Sequence, residues 1–412
     1  MRQLLCLIPI ALRNLGRNRR RTASTLAAIV VGIVGLILLD GYISYSMWGL
    51  GETVIHSGTG HFQVATSAAY FDDGDSDPFP YLIPRADSLA AELRRMPEVR
   101  DVVPSISFSA VVSLHGKMET VVVHALPSDR MADNLGFLSV TDGDLIGPDD
   151  HGKILVGEGL ASKMELRTGD AVSLFAVGMD GGVANQGFDV AGLVSSGISA
   201  ADGATIYMDL ADAQALLGTN DVPVLIVFLD RSEDTDPVIA RLAAHPPAGA
   251  AGLTFRSWKA LSPFFIQANS AYAMVLAVAR LIVMLVALFS ISGTITLSVL
   301  ERLREIGTLR AFGTRAGQVV ALFLVEGLLL GVMGALVGDL LGAAVSGIVN
   351  AAGGIMMPAQ PGMSHAIGIL FRPPFASFVG DGVAVIVVAL IGSLVPGIGA
   401  VRRTAAELLR TT

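Results

Sequence analysis

Several residues in this chain could bind metal or attack a substrate, but few stand at spacings that make a site. Glu52, His56 and His61 are spaced loosely like ligands, yet the same spacing describes a helix running into a strand, which is the reading adopted here. Asp73, Asp75 and Asp77 alternate as in the opening of a calcium loop. Pro78 then stands where such a loop turns on glycine, and Pro84 where it needs a bidentate glutamate. The seven histidines are scattered, and no HExxH, GxSxG or GxxxxGK[ST] occurs. No catalytic residue, metal ligand set or resident cofactor is therefore expected in this sequence.

The charged residues carry more information. Residues 300–318 read LERLREIGTLRAFGTRAGQ, in which Leu303, Ile306 and Leu309 recur at three-residue spacing. That spacing predicts a short helix with a narrow apolar stripe. Glu301 and Arg304 would form an opposite-charge pair on one face. Gly313 can end the helix in a left-handed conformation, and Thr314 can cap the next one. A short rigid helix tied between two longer elements can transmit a push, and its stripe can dock on a partner.

Composition says what holds these groups. Of 412 residues, 52% are apolar and only 16% charged, with a mean hydropathy of +0.62. An average soluble domain has about 25% charged residues, and a disordered chain would carry far less apolar surface. The apolar residues are bunched into four runs, each long enough to cross a bilayer, which takes about 20 residues. The expected organisation is an amphipathic helix within 1–21, membrane helices at 22–48, 271–300, 319–349 and 375–401, and the coupling segment 301–318. An inserted domain fills 49–270, a loop 350–374 and a tail 402–412. The fold class is membrane α-helical, four helices, with a large α+β domain between helices 1 and 2.

Charge asymmetry orients the chain. Residues 49–270 hold 29 acidic and 13 basic side chains, a net of −16, and the remainder is net +8. Arg13, Arg17, Arg19, Arg20 and Arg21 precede the first run. Arg302, Arg304, Arg310 and Arg315 lie between the second and third, and Arg402, Arg403 and Arg410 follow the fourth. Short positively charged segments stay in the cytoplasm, so both termini are expected there, with residues 49–270 on the outer side of the membrane. These juxtamembrane arginines do not form a folded basic surface, so no nucleic-acid partner is expected. Cys6 is the only cysteine, so the inserted domain has no disulfide.

Within that domain, strands are expected at 61–66, 106–114, 118–126, 153–157, 171–177, 188–194, 204–208 and 224–230. Helices are expected at 85–95, 158–164, 210–217 and 234–244. Inside the membrane runs, Asp40, Arg280 and Asp339 fall at one level by residue count and form a candidate outer polar cluster. Glu326 lies about 10 Å into the third run and is assigned a structural role. Gly327, Gly331, Gly334, Gly338 and Gly342 line one side of that run, which permits close helix contact. Ile33, Leu36, Ile37 and Tyr45, with Met274, Val278, Leu281 and Ile282, are candidates either for an acyl-chain groove or for plain lipid-facing surface.

The segment Glu301-Arg302-x-x-Glu305-Ile306-Gly307-x-Leu309-Arg310-Ala311-x-Gly313 resembles the signature of the FtsX/MacB/LolC–LolE superfamily of ABC-transporter permeases. Ala11-Leu12-Arg13-Asn14-Leu15 resembles the opening helix of that family. Gly60-His61-Phe62-Gln63-Val64 with Tyr70, Gly157-Glu158-Gly159-Leu160-Ala161, Leu166-x-x-Gly169-Asp170 and Trp258 are similar to the lipoprotein-releasing branch. Val325-Glu326-Gly327 and the ending Pro396-x-x-x-Ala400-x-Arg402 with Glu407-Leu408-Leu409-Arg410 are similar to family positions as well.

The resemblance implies a mechanism. Glu301, Arg302, Glu305, Ile306, Gly307, Leu309, Arg310 and Gly313 would belong to a coupling helix that inserts into a separate ABC ATPase subunit, which binds ATP and Mg. A second permease chain, identical or homologous, would complete the complex, with membrane lipid around it. The substrate would be a lipoprotein or other amphiphile, handed to a periplasmic carrier. Export of drugs or peptides in the manner of MacB, or signalling to cell-wall hydrolases in the manner of FtsX, remain the alternatives.

Overall fold

A computed structural model describes residues 7–134, 138–197, 199–246, 252–357 and 367–402. The expected start of the amphipathic helix at 1–6 and the tail motif at 403–412 lie outside these residues. The chain forms two compact units. The first comprises residues 1–46, 269–356 and 368–412, and the second residues 47–268 and 357–367.

The first unit is helical. Its elements are α1 (Leu7–Arg17), α2 (Arg19–Val54, which continues into the second unit), α3 (Pro263–Glu301), α4 (Leu303–Ala311), α5 (Ala316–Ala351) and α6 (Phe375–Arg402). The apolar segments of α2, α3, α5 and α6 are each long enough to cross a membrane. The break between α3 and α4 falls one residue later than the sequence suggests. Arg302 leaves helical geometry (φ −116°, ψ 17°), so Glu301 ends α3 and does not share a helix with Arg304. Gly313 does adopt the left-handed conformation (φ 93°). The cap of α5 is Arg315 rather than Thr314, and the Gln318 side chain accepts from the Arg315 N–H at 3.0 Å.

Lipid offers no hydrophobic drive between helices, so contact depends on how closely their backbones approach. The α5 glycines provide that approach inside the unit. A Cβ on Gly334, Gly338 or Gly342 would stand 2.6–2.8 Å from Ile29, Ile33 or Ile37 of α2. On Gly331 it would stand 2.8 Å from Ala389 of α6. Gly338→Val should therefore force the α2–α5 contact apart and cost about 1–3 kcal/mol. Thermal unfolding in detergent should show the loss, with Gly347→Val, where nothing lies within 4 Å, as the unaffected control.

The second unit is built on one ten-stranded sheet. Its strands are β1 (Phe62–Ala65), β2 (Val99–Leu114), β3 (Lys117–Leu126), β4 (Ser139–Gly143), β5 (Lys153–Gly157), β6 (Ala171–Val177), β7 (Val183–Ser195), β8 (Thr205–Asp209), β9 (Val224–Leu229) and β10 (Thr254–Ser257). The order is β10-β1-β9-β2-β3-β8-β5-β7-β4, with β6 pairing both β2 and β7. Among the described pairings only β3·β8 and β5·β7 are parallel, as expected where strands come in runs. The long β2 belongs to both halves: Val99–Ser105 pairs β9, and Ile106–Leu114 pairs β3. Phe62, Phe108, Phe188 and Ile206 belong to one buried core, and Leu155, Tyr207, Phe228 and Trp258 to a second. Two strands, β4 and β10, are absent from the sequence expectation. All of β4 is exposed and β10 is half-buried throughout, so neither carries an apolar alternation to detect.

The end of α2 is fastened to this sheet by an unusual turn. A widened helical turn, Ile55–Thr59, contains Gly58 at φ 106° and is followed by Gly60 at φ 68°. His61 next to it is 2% exposed. Its Nδ1 accepts the Leu229 N–H at 3.0 Å, its Nε2 lies 3.2 Å from Ser232 Oγ, and Ser232 donates to Glu52 at 2.7 Å. Loss of solvent, with His56 and Arg100 adding positive charge nearby against Glu52, holds the His61 imidazole down at about 4. The unfolded chain takes up this proton near pH 6.5, whereas the folded domain resists until about 4. Stability should then fall as pH drops from 6.5 toward 4, by about 3 kcal/mol at the lower end. Melting of the full chain across that range should show the decline, and His61→Asn should flatten it.

Candidate functional site

The helix α4 is the best-positioned candidate, and the groups around it explain its placement. Arg302 at its start is buried and pairs with Glu326 of α5 at 3.1 Å, and Glu326 is 1% exposed. The Asn14 amide of α1 donates to the same Glu326 oxygen at 2.7 Å. Glu301 accepts from Asn18 at 2.6 Å and pairs with Arg21 at 3.0 Å. Glu305 pairs with Arg17 at 3.1 Å at the surface. Arg310 donates to the Val401 carbonyl of α6 at 2.9 Å. The start of α4 is thus tied to α5, its first turn to α1 and its end to α6, while Glu301 at the end of α3 ties the junction to α2.

The apolar stripe divides between two tasks. Ile306 and Gly307 are buried and Leu303 packs on the helical core, whereas Leu309 is 48% exposed. Phe312, just beyond α4, is 86% exposed and was not among the expected site residues. It continues the three-residue spacing of Leu303, Ile306 and Leu309, so the signal was present in the sequence. What results is a short helix held rigidly from behind, presenting Leu309 and Phe312 with Arg304, Glu305 and Thr308 to solvent.

The membrane helices hold a second polar group. Arg280 of α3 reaches Asp40 of α2 at 3.4 Å and Asp381 of α6 at 2.9 Å, and the Ser377 hydroxyl donates to Asp40. The second carboxylate on Arg280 is therefore Asp381, not Asp339. Asp339 stands beside Gly382, where a Cβ would lie 3.5 Å from its Oδ2. Asp381 is the only charged residue between Phe375 and Val401, a signal that depth counted from the arginine clusters does not use.

The expected acyl-chain groove does not assemble as proposed. Ile33, Leu36 and Ile37 are 0–1% exposed, and Ile33 and Ile37 fill the α5 glycine track. They are packing residues, because the glycines draw α2 onto α5 on that side. Met274, Val278, Leu281 and Ile282 are 51–70% exposed on α3. Tyr45 is half-buried beneath the Arg372 guanidinium, 5.6 Å from its ring.

In the second unit, His151, Asp209 and Asp212 bring possible metal donors within 4.8 Å of one another. The carboxylates already serve the backbone. Asp209 accepts the Ser128 and Ala211 N–H groups at 2.8 and 3.0 Å, and Asp212 accepts Gly152 N–H at 2.8 Å. The Ala211 bond caps the start of Leu210–Leu217, and the other two fasten the segments at Ser128 and Gly152 to it.

The sequence matches the family model described as MacB-like periplasmic core domain over residues 22–245, and that described as FtsX-like permease C-terminal over residues 277–405. A macrolide export ATP-binding/permease protein of Paracoccus denitrificans is 27% identical over 80% of this chain and 49% of its own length. An ABC transporter permease of Methanocaldococcus jannaschii is 21% identical, covering 88% and 90%. The lipoprotein-releasing system transmembrane protein LolE of Haemophilus influenzae is 23% identical, covering 62% of each chain. The chain spans about half the length of the macrolide-export relatives with the widest match.

Proposed function

We propose that this chain, which belongs to the FtsX/MacB superfamily of ABC-transporter permeases, is driven by an ATPase subunit seated on α4 and moves an amphiphilic substrate outside the membrane. ATP and Mg would be bound by that subunit. Both termini and α4 would face the cytoplasm, and the sheet domain would lie on the extracytoplasmic side of a bacterial inner membrane. The observation that carries this reading is the clamping of α4. A helix held by Arg302 and Arg310, with Glu301 at the end of α3 tied to Arg21 of α2, cannot swivel freely, so force applied at Leu309 and Phe312 passes to α5 and α6 and, through the α3–α4 junction, to α2.

The complex would hold two permease chains. The apolar window of α3 is 11% buried within the subunit, against 50% for α5. The exposed face with Met274, Val278, Leu281 and Ile282 is therefore left for lipid, substrate acyl chains or a second permease, identical or homologous. The substrate class we favour is a lipid-anchored protein, released from the outer leaflet to a periplasmic carrier, in keeping with the similarity to LolE. Export of a drug or peptide is the second reading, favoured by the wider match to the macrolide-export protein.

Purification of the chain with its ATPase, followed by mass analysis of what accompanies it, tests the assignment. Acylated protein bound without nucleotide and lost on ATP addition is expected. ATPase stimulation by macrolides with no acylated protein bound would move the assignment to export.

A further inference from the structure

We infer that Glu52, Ser232 and His61 form a positioning joint that carries movement of α2 into the sheet domain, an inference that rests on the mechanical reading above. The reason such a joint is needed lies in the turn between them. Between the end of α2 and the start of β1 the backbone passes through Gly58 and Gly60, both at positive φ. Glycines in this region make the link compliant in rotation. A push delivered by α2 would be absorbed there unless something bridged the turn.

The side chains bridge it. Glu52 stands on the last turns of α2, Ser232 follows β9, and His61 precedes β1. Because His61 Nδ1 accepts the Leu229 N–H, its proton sits on Nε2 and points to Ser232 Oγ at 3.2 Å. Ser232 then donates to Glu52 at 2.7 Å, so every proton in the chain has one direction. The other Glu52 oxygen lies 3.6 Å from His56 Nε2, and the His56 ring stacks on Phe228 of β9. A connected hydrogen-bond network of this kind, anchored on the buried His61, resists deformation more than its separate bonds would.

The same point gathers the segment leading out of the domain. The His61 carbonyl accepts the Trp258 N–H at 3.1 Å, immediately after β10. The Trp258 ring packs so closely on Gly51 of α2 that a Cβ there would stand 2.6 Å from it. The Tyr207 hydroxyl donates to the Ser57 carbonyl within the turn, which adds β8 to the assembly. The incoming helix, the outgoing segment and β9 are thereby fixed to one imidazole and its neighbours.

Ser232→Ala removes one hydroxyl at a half-buried position and leaves the rest of the joint in place. The full chain, with Cys6→Ser and spin labels at the exposed positions Met118 and Leu336, is assembled with its ATPase in nanodiscs. Interlabel distance with and without ATP is read alongside the hydrolysis rate. Ser232→Ala should keep hydrolysis within twofold and lose at least four-fifths of the ATP-dependent distance change, and Ser232→Thr should restore it. Glu52→Ala should behave like Ser232→Ala. Unaltered distance changes in both Ala variants would overturn the inference. So would a parallel fall of hydrolysis, distance change and melting temperature, which is the mark of a merely structural contact. A wild-type chain that hydrolyses ATP with no distance change would remove the mechanical reading itself, and the joint with it.

Discussion

Arg302→Ala should destabilise the helical unit by about 3–5 kcal/mol, because it takes the paired cation from the buried Glu326 carboxylate. Glu326 is 1% exposed, and with Arg302 gone its remaining close partner is the Asn14 amide, which supplies a hydrogen bond but no charge. Thermal unfolding of the detergent-solubilised chain measures the loss. The paired substitution Arg302→Met with Glu326→Leu should recover most of it, since replacing both members removes the desolvation cost along with the attraction. Recovery of stability without recovery of transport would separate the two roles of the pair: holding α4 in place and holding it stiffly. If Arg302→Ala melted with the wild type, the buried pair would not be what anchors α4.

Phe312→Ser should weaken association with the ATPase subunit by tenfold or more while leaving the fold intact. A side chain 86% exposed on a clamped element contributes almost nothing to the subunit that carries it. Aromatic anchors at the centre of interfaces commonly contribute about 2 kcal/mol or more when desolvated by a partner. Titration of the ATPase onto nanodisc-embedded permease gives the affinity, and circular dichroism melting gives the fold. Glu305→Lys should act differently. It reverses the exposed pair with Arg17, which in water is worth at most about 1 kcal/mol. Its expected effect is on transport per ATP hydrolysed, not on melting. Equal affinity for wild type and Phe312→Ser would place the ATPase contact elsewhere.

Much of the architecture was legible in the sequence because the signals are long. Four apolar runs cannot be hidden in a soluble core, and the arginine clusters mark three ends of them. Strands with a clear apolar signal, the continuous run Lys153–Gly157 and the alternating Ala171–Val177, stand at their expected bounds. Strand β4 has no buried side chain and therefore no alternation to read.

The site was less legible, for a physical reason that recurs. Sequence gives depth along a helix but not which face meets which neighbour. Ile33 and Ile37 have the composition of a lipid-facing groove, yet the glycines of α5 draw that face inward. Asp339 and Asp381 both stand in membrane helices, and only the pairing of α3 with α6 decides which of them meets Arg280. Glu301 and Arg304 are three residues apart, but the bend at Arg302 places them on different helices and turns Glu301 toward Asn18 and Arg21. Phe312 was readable from its spacing, and the turn at Gly313 drew attention away from it.

The central claim is that α4 faces the cytoplasm and receives force from a nucleotide-hydrolysing subunit. Site-specific crosslinking tests it most directly. In a Cys6→Ser background, which leaves no other thiol, Phe312→Cys is combined with a short bifunctional reagent in inside-out membrane vesicles containing the ATPase. The account predicts a permease–ATPase crosslink whose yield changes with ATP, and protection of the thiol from impermeant reagent in intact cells. A thiol at 312 that reacts from outside intact cells, or that never crosslinks to a nucleotide-hydrolysing protein, would contradict it.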